Sequence, residues 1–244
     1  MRRLRLGVAL LSALGVWLMG SHPLARSTEA AAGFEGADAA ALREMLEGTA
    51  GRRESWKAAP DLLIVAPVLD YNTAGITSGY TAVNETLSAG EIDLLALELI
   101  EAVQDLTGGA FTSFRSISVE TTAAGDKVNV IRPGAIVVAR YRGLRATTGN
   151  IGYGGRSTRN GTIRGAAVML DADFDRQSSQ RFLLRTHELG HALGYHHVQS
   201  RPSVMNPRVG NSITEFDRNA IRYASQPLAR EIARPFTSLH SALF

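Results

Sequence analysis

The sequence predicts an α+β fold, α/β-like in its order of elements, in which helices pack against a mostly parallel sheet. Two short apolar runs, at 62–69 and 166–170, are typical of strands that are buried on both faces. Between them, apolar residues recur at three- and four-residue steps from Ile92 to Leu106, which indicates an amphipathic helix. The 244 residues are 45% hydrophobic and 20% charged, and this ordinary composition excludes a disordered chain or a polytopic membrane protein.

Three helices have boundaries that the sequence predicts. The first begins at the capping box Ser88–Glu91 and ends at Gly108-Gly109. The second ends near Leu193, and a serine at 178 or 179 is its predicted cap. The third begins at Ser212–Glu215, which again has the spacing of a capping box.

The remaining strands follow from β-type composition, and they are predicted at 114–121, 128–131, 135–141 and, at a sheet edge, 150–155. The glycine-rich part of the last segment, Gly152–Gly155, fits a mobile surface loop equally well. Three aspartates, at 171, 173 and 175, alternate after the strand at 166–170. If they continue the strand, their carboxylates face one side, where calcium could bridge them, although a solvated strand end is the simpler interpretation.

The N-terminus has the pattern of a secretory signal, a basic stretch followed by the apolar run Leu6–Gly20. Since a spanning helix needs about 20 apolar residues, the run favours a signal over an uncleaved membrane anchor, which is the alternative. We predict a signal peptide at 1–25, a leader or pro-segment outside the main core at 26–58, a catalytic domain at 59–230 and a tail at 231–244. The mature chain is then secreted or periplasmic, without stable membrane association.

Charge and cysteine content exclude several other classes of function. The formal charge of +3 comes from three arginines among the first five residues, and the rest of the chain is balanced. A balanced chain argues against binding to nucleic acid. Without cysteine there is no disulfide, no thiolate metal site and no cysteine nucleophile. Nothing in the sequence indicates an oligomeric state.

Four of the six histidines fall within residues 187–197. On a helix, His187 and His191 lie one turn apart and point the same way, so both imidazoles can reach one zinc ion at about 2.0–2.1 Å. Glu188 lies about 100° round the helix from His187, where it can hold a water beside the metal and act as general base. This is the H-E-x-x-H arrangement, and it predicts a zinc site with a hydrolytic function.

A third ligand requires the chain to leave the helix. On a continuing helix, His197 would lie about 15 Å along the axis from His187. Gly194 can adopt the left-handed conformation that ends a helix, and the turn then brings His197 back to the metal. With three histidine ligands, the fourth zinc position stays open for water.

The motif resembles that of the metzincin zinc peptidases, and Gly190 together with Met205-Asn206-Pro207 is most similar to the matrixin branch. The resemblance implies zinc binding by His187, His191 and His197, with Glu188 as base and Met205 in a turn beneath the metal. It also implies a twisted five-stranded mixed sheet, an active-site helix, a small C-terminal subdomain and a peptide or protein substrate. Departures are Val198, where matrixins usually have serine, and the missing latency cysteine.

The function predicted from these features is a secreted zinc endopeptidase in which Glu188 activates a zinc-bound water. The substrate would add as an extra strand along the sheet edge at Gly152–Gly155. Two alternatives are a non-catalytic zinc-binding or adhesion module of the same fold, and a zinc amidase that acts on cell-wall peptide cross-links.

Overall fold

The computed structural model describes residues 37–73, 75 and 78–225, and the predicted signal peptide and tail lie outside them. These residues form helices and one mixed sheet, which confirms the α+β class. The strands are β1 (Asp61–Val65), β2 (Pro67–Asp70), β3 (Tyr80–Thr86), β4 (Ile117–Glu120), β5 (Lys127–Val128), β6 (Ala135–Arg142), β7 (Gly152–Arg159) and β8 (Thr162–Asp171). The α-helices are α1 (Ala37–Glu47), α2 (Ala89–Leu106), α3 (Leu144–Thr148), α4 (Ala172–Gln177), α5 (Arg181–Leu193) and α6 (Glu215–Ser225).

Parallel strands form the centre of the sheet. β6 pairs in parallel with β1 on one side and with β8 on the other. β4 extends the sheet in parallel beyond β1, whereas β7 pairs with β8 in the antiparallel sense and forms the opposite edge among the described strands. These five strands, in the order β4-β1-β6-β8-β7, make the five-stranded mixed sheet that the resemblance implies. β3 and β5 continue it in the antiparallel sense from β2.

The apolar run predicted as one strand is divided at Ala66 into β1 and β2, although both parts pair with β6. Pro67 has no N–H group to donate, so the regular ladder ends there. The carbonyl of Ala66 instead accepts the N–H of Leu87 at 2.8 Å, and β2 turns towards β3.

The strand predicted through the three aspartates is replaced by helix α4. Asp171 caps this helix, because its carboxylate accepts a backbone N–H of the first turn. Asp173 and Asp175 are helical, and Asp175 is fully buried between the guanidinium groups of Arg140 and Arg185. The three carboxylates do not share one side of a strand, so this segment gives no support for the calcium prediction.

Two helix caps also differ from the prediction. The box at Ser88 is confirmed, with reciprocal hydrogen bonds. Helix α5 instead follows Gln180, which makes no side-chain cap, while Ser178 ends α4. Before α6, the Thr214 hydroxyl accepts the N–H of Asp217, and the Asp217 carboxylate accepts the N–H of Thr214. The box therefore lies two residues later than Ser212–Glu215.

The N-terminal segment differs from the prediction from residue 37 onwards. Helix α1 contacts α6 and buries one apolar side, on which Ala41 and Met45 are fully inaccessible to solvent. This part of the predicted leader therefore contributes to the core. None of the described helices combines the length and the apolar character that crossing a membrane requires.

Candidate metal centre

Helix α5 packs against β7, β8 and α2, and it carries the first two predicted ligands. The Nδ1 atoms of His187 and His191 lie 2.8 Å from the carbonyl oxygens of Val204 and Tyr195, respectively. A carbonyl can only accept, so these contacts assign the ring proton to Nδ1 in both residues. Each Nε2 atom therefore keeps its lone pair for a metal.

The third histidine reaches the same point because the helix ends at Gly194. Its φ of 112° is left-handed, and the chain turns back immediately after it. The Nε2 atoms of His191 and His197 are 3.1 Å apart, and one ligand atom from each of the three histidines lies within 4.8 Å of the others. Two nitrogens bound tetrahedrally to zinc are about 3.4 Å apart, so this donor set fits zinc.

His196 is directed away from this group. Its Nε2 atom lies 2.8 Å from a guanidinium nitrogen of Arg156, and its ring lies so close to Gly48 that a Cβ added there would overlap it. Neighbouring residues of an extended segment face opposite sides, which explains why only His197 joins the cluster.

Burial keeps the histidine ligands neutral. It lowers the pKa of His187 to about 4 and that of His191 to about 3, and it also lowers the pKa of His197. A buried imidazolium would lose its hydration, so the uncharged ring is favoured. The neutral imidazole is the form that binds a metal, and these three rings are therefore in a binding-competent state at neutral pH.

Glu188 follows the first histidine on α5 and is 5% exposed. Burial raises the pKa of its carboxyl to about 8, while a hydrogen bond from the N–H of Gly154 opposes that rise. A divalent cation next to the carboxyl favours the charged form. The group can therefore exchange a proton near neutral pH, as a general base must.

The glycine-rich segment is the edge strand β7 and not a loop. An added Cβ at Gly152 would lie 2.5 Å from a carboxylate oxygen of Glu188, and one at Gly154 would lie 2.5 Å from the Glu188 carbonyl oxygen. These glycines therefore let the edge strand approach α5 at the carboxylate, which the sequence pattern does not reveal.

Met205, for which the resemblance implies a place in a turn beneath the metal, packs against helix α5. The side chain is fully buried, with its sulfur beside Gly190 of α5. Its carbonyl oxygen accepts the N–H of Val198 at 2.9 Å, which ties this turn to the residue after the third histidine.

The sequence prediction missed Asp217, which fixes the same turn from α6. Its carboxylate is fully buried and accepts the Ser203 hydroxyl at 2.5 Å and the N–H of Val204 at 2.9 Å. Since the Val204 carbonyl holds the His187 ring, Asp217 orients a ligand through one intermediate residue. The Thr214-x-x-Asp217 spacing was an available signal, but Ser212–Glu215 shows the same pattern two residues earlier.

Comparison with known protein families agrees with this geometry. The family model of the matrixins matches residues 104–224, about half of the chain, and that range includes α5, the three histidines and Met205. The chain is a matrixin-like member of the metzincin clan. No curated protein matches the sequence significantly. Matrixins are zinc-dependent metallopeptidases, so the matrixin-like domain is that of a metallopeptidase and implies a peptide or protein substrate.

Proposed function

We propose that this matrixin-like protein is an exported zinc endopeptidase with Glu188 as its general base. One observation carries the proposal: ligand atoms of three neutral imidazoles lie within 4.8 Å of one another, and the buried carboxylate of Glu188 lies on the helix that carries two of them. Export is supported by the basic and apolar pattern of the first 20 residues.

The three histidines would hold the metal through Nε2 and leave a further coordination position free. When bound there, zinc supplies Lewis acidity, which lowers the pKa of a coordinated water and polarises the scissile carbonyl. Glu188 removes a proton from the attacking water as the new carbon–oxygen bond forms. The same carboxyl then delivers that proton to the leaving amine nitrogen as the peptide bond breaks, so the residue is regenerated.

The edge strand β7 is suited to hold the substrate. It pairs only with β8 among the described strands, so its other edge can bond to the main chain of an extended peptide. The inward positions at Gly152 and Gly154 carry no side chain, so β7 lies directly against the helix that carries Glu188. A peptide paired with β7 is thereby brought next to the catalytic groups.

The test is Glu188→Gln, which keeps the size of the side chain but cannot accept the proton. We expect kcat to fall by about 10²–10⁴-fold with zinc content unchanged. Glu101→Gln is the matched control, because Glu101 is exposed on α2 and far from the site in sequence. Its activity should equal that of the wild type. Activity is measured on a peptide library, with and without chelator.

Other results would point elsewhere. Full activity of Glu188→Gln would mean that a different group is the base. A wild-type chain that binds zinc but cleaves cell-wall cross-links and no linear peptide would be an amidase. One that binds zinc and hydrolyses neither substrate would be a non-catalytic module.

A further inference from the structure

The segment that carries the third histidine, residues 196–201, is here called the third-histidine loop. On one side it is held by the turn around Met205. The side-chain amide of Asn206 donates to the carbonyl oxygens of Val198 and Arg201 at 2.6 and 2.8 Å. These contacts come from residues of the matched family region.

On its other side the loop is held by helix α1. The Met45 carbonyl oxygen accepts the N–H of His196 at 2.8 Å. One carboxylate oxygen of Glu44 accepts the N–H of Gln199 at 3.0 Å and the hydroxyl of Ser200 at 3.1 Å. The anchors lie one residue before and two residues after the third histidine, so α1 fixes the backbone on both sides of that ligand.

The chain after α1 continues along the end of the active-site helix. The Trp56 indole N–H donates to the carbonyl oxygen of Ala192 at 2.9 Å, and the Glu54 carboxylate accepts from Arg156 of β7 at 2.6 Å. The Glu54 backbone also lies so close to Gly194 that no side chain fits between them. This segment therefore supports both the helix end and the loop that follows it.

The same segment does not occupy the metal site. Within residues 37–73, 75 and 78–225, the cluster of potential ligand atoms consists of the three histidines alone, and no carboxylate from α1 or the chain after it joins them. A latency segment acts by giving the metal a ligand that blocks substrate. Residues 37–58 instead contact the end of the active-site helix and the third-histidine loop.

We propose that residues 37–58 are a permanent part of the mature domain and that Glu44 is a positioning residue for His197. The proposal rests on the proposed function, because it assigns the third-histidine loop to a zinc site. Any removal of an N-terminal segment would then occur before residue 37.

The expected effect on zinc binding follows from the bonds that Glu44 makes. A hydrogen bond from the Gln199 backbone holds the pKa of the Glu44 carboxyl below its usual value, so the side chain is a charged acceptor at neutral pH. Loss of a partner that orients a metal ligand costs about 10–100-fold in metal affinity. Glu44 acts on the loop and not on the imidazole itself, so we expect a loss of about 10-fold.

The test compares Glu44→Ala with Glu47→Ala in the full chain. Both changes remove one charge from the same helix and introduce alanine, the best helix former. Glu47 stands at the start of the short 3-10 helix Gly48–Ala50, but its side chain makes no capping hydrogen bond there. Competitive chelator titration with zinc should show about a 10-fold higher Kd for Glu44→Ala and no change for Glu47→Ala. Glu44→Gln, which keeps a neutral acceptor, should lie between them and provides a milder variant if the alanine variant fails to fold.

Zinc affinity and thermal unfolding of the zinc-free protein are measured separately. A lower Tm with an unchanged zinc Kd would make Glu44 a purely structural residue and overturn the positioning role. Mass spectrometry of the exported protein should find an N-terminus before residue 37, and a fully zinc-binding product that begins after Met45 would overturn retention. A wild-type chain without zinc binding would refute the proposed function as well, which separates the two failures.

Discussion

Gly194→Ala tests how the end of the active-site helix is built. Gly194 has a φ of 112°, and an added Cβ would overlap the Glu54 carbonyl oxygen. Two costs therefore add at one position. The first is a backbone conformation that residues with a side chain rarely adopt, and the second is a collision with another backbone segment.

The control Gly51→Ala separates these costs. Gly51 also has a positive φ, of 61°, but its Cβ would meet nothing within 4 Å. Left-handed strain alone costs about 1–2 kcal/mol, and the stiffer unfolded chain returns about 0.4–1 kcal/mol. Gly51→Ala should therefore lower the free energy of unfolding by about 0–1.6 kcal/mol. At Gly194, moving the Glu54 segment adds about 1–3 kcal/mol, as overpacking does elsewhere.

The free energy of unfolding of the zinc-free variants is measured in urea. We expect Gly194→Ala to be less stable than Gly51→Ala by about 2 kcal/mol. Because the third-histidine loop begins two residues after Gly194, the zinc Kd of Gly194→Ala should also rise, while that of Gly51→Ala stays unchanged. Equal stability of the two variants, within about 0.5 kcal/mol, would refute the close approach to Glu54.

Two further predictions concern ligand choice and acid stability. His197→Ala should raise the zinc Kd by orders of magnitude, whereas His196→Ala, whose ring bonds to Arg156, should stay within a few-fold in chelator titration. For Glu91, burial raises the pKa, but hydrogen bonds from Ser88 and Arg140 outweigh it and hold the pKa at about 2. Glu91→Gln should therefore cost about 1–2 kcal/mol of unfolding free energy at pH 7, and urea titrations should show this difference shrinking below pH 4.5 towards pH 2.

The sequence predicted those parts of the site that depend on local spacing. His187 and His191 converge because helical periodicity places them on one side of α5, and Gly194 ends the helix because only glycine adopts its φ without strain. The histidine after the turn could be selected by counting residues. Such features need no knowledge of the rest of the fold, and their catalytic roles remain predictions until activity is measured.

Contacts between distant parts of the chain could not be predicted in this way. Glu44 and Gln199 are separated by more than 150 residues, and nothing in the composition around Glu44 indicates a bond to a metal-site loop. Hydrophilic leaders also contain glutamates, so the composition of this segment predicts a leader. Similarly, the alternation of Asp171, Asp173 and Asp175 fits a strand, but the last two lie in helix α4, where Asp175 is buried against two arginines.

The active-site helix depends on buried charge as well as on its apolar side. Arg185, 1% exposed and just over half a turn before His187, donates to both carboxylate oxygens of Asp175 at 2.7 Å. Arg140 of the central strand donates to the same carboxylate at 2.7 Å. Apolar packing permits a helix to slide or rotate, whereas a buried ion pair that lost its partner would cost about 3–5 kcal/mol. We therefore infer that this buried cluster holds α5 in one register against the sheet, with Glu188 against β7 and the His187 ring against the carbonyl of Val204.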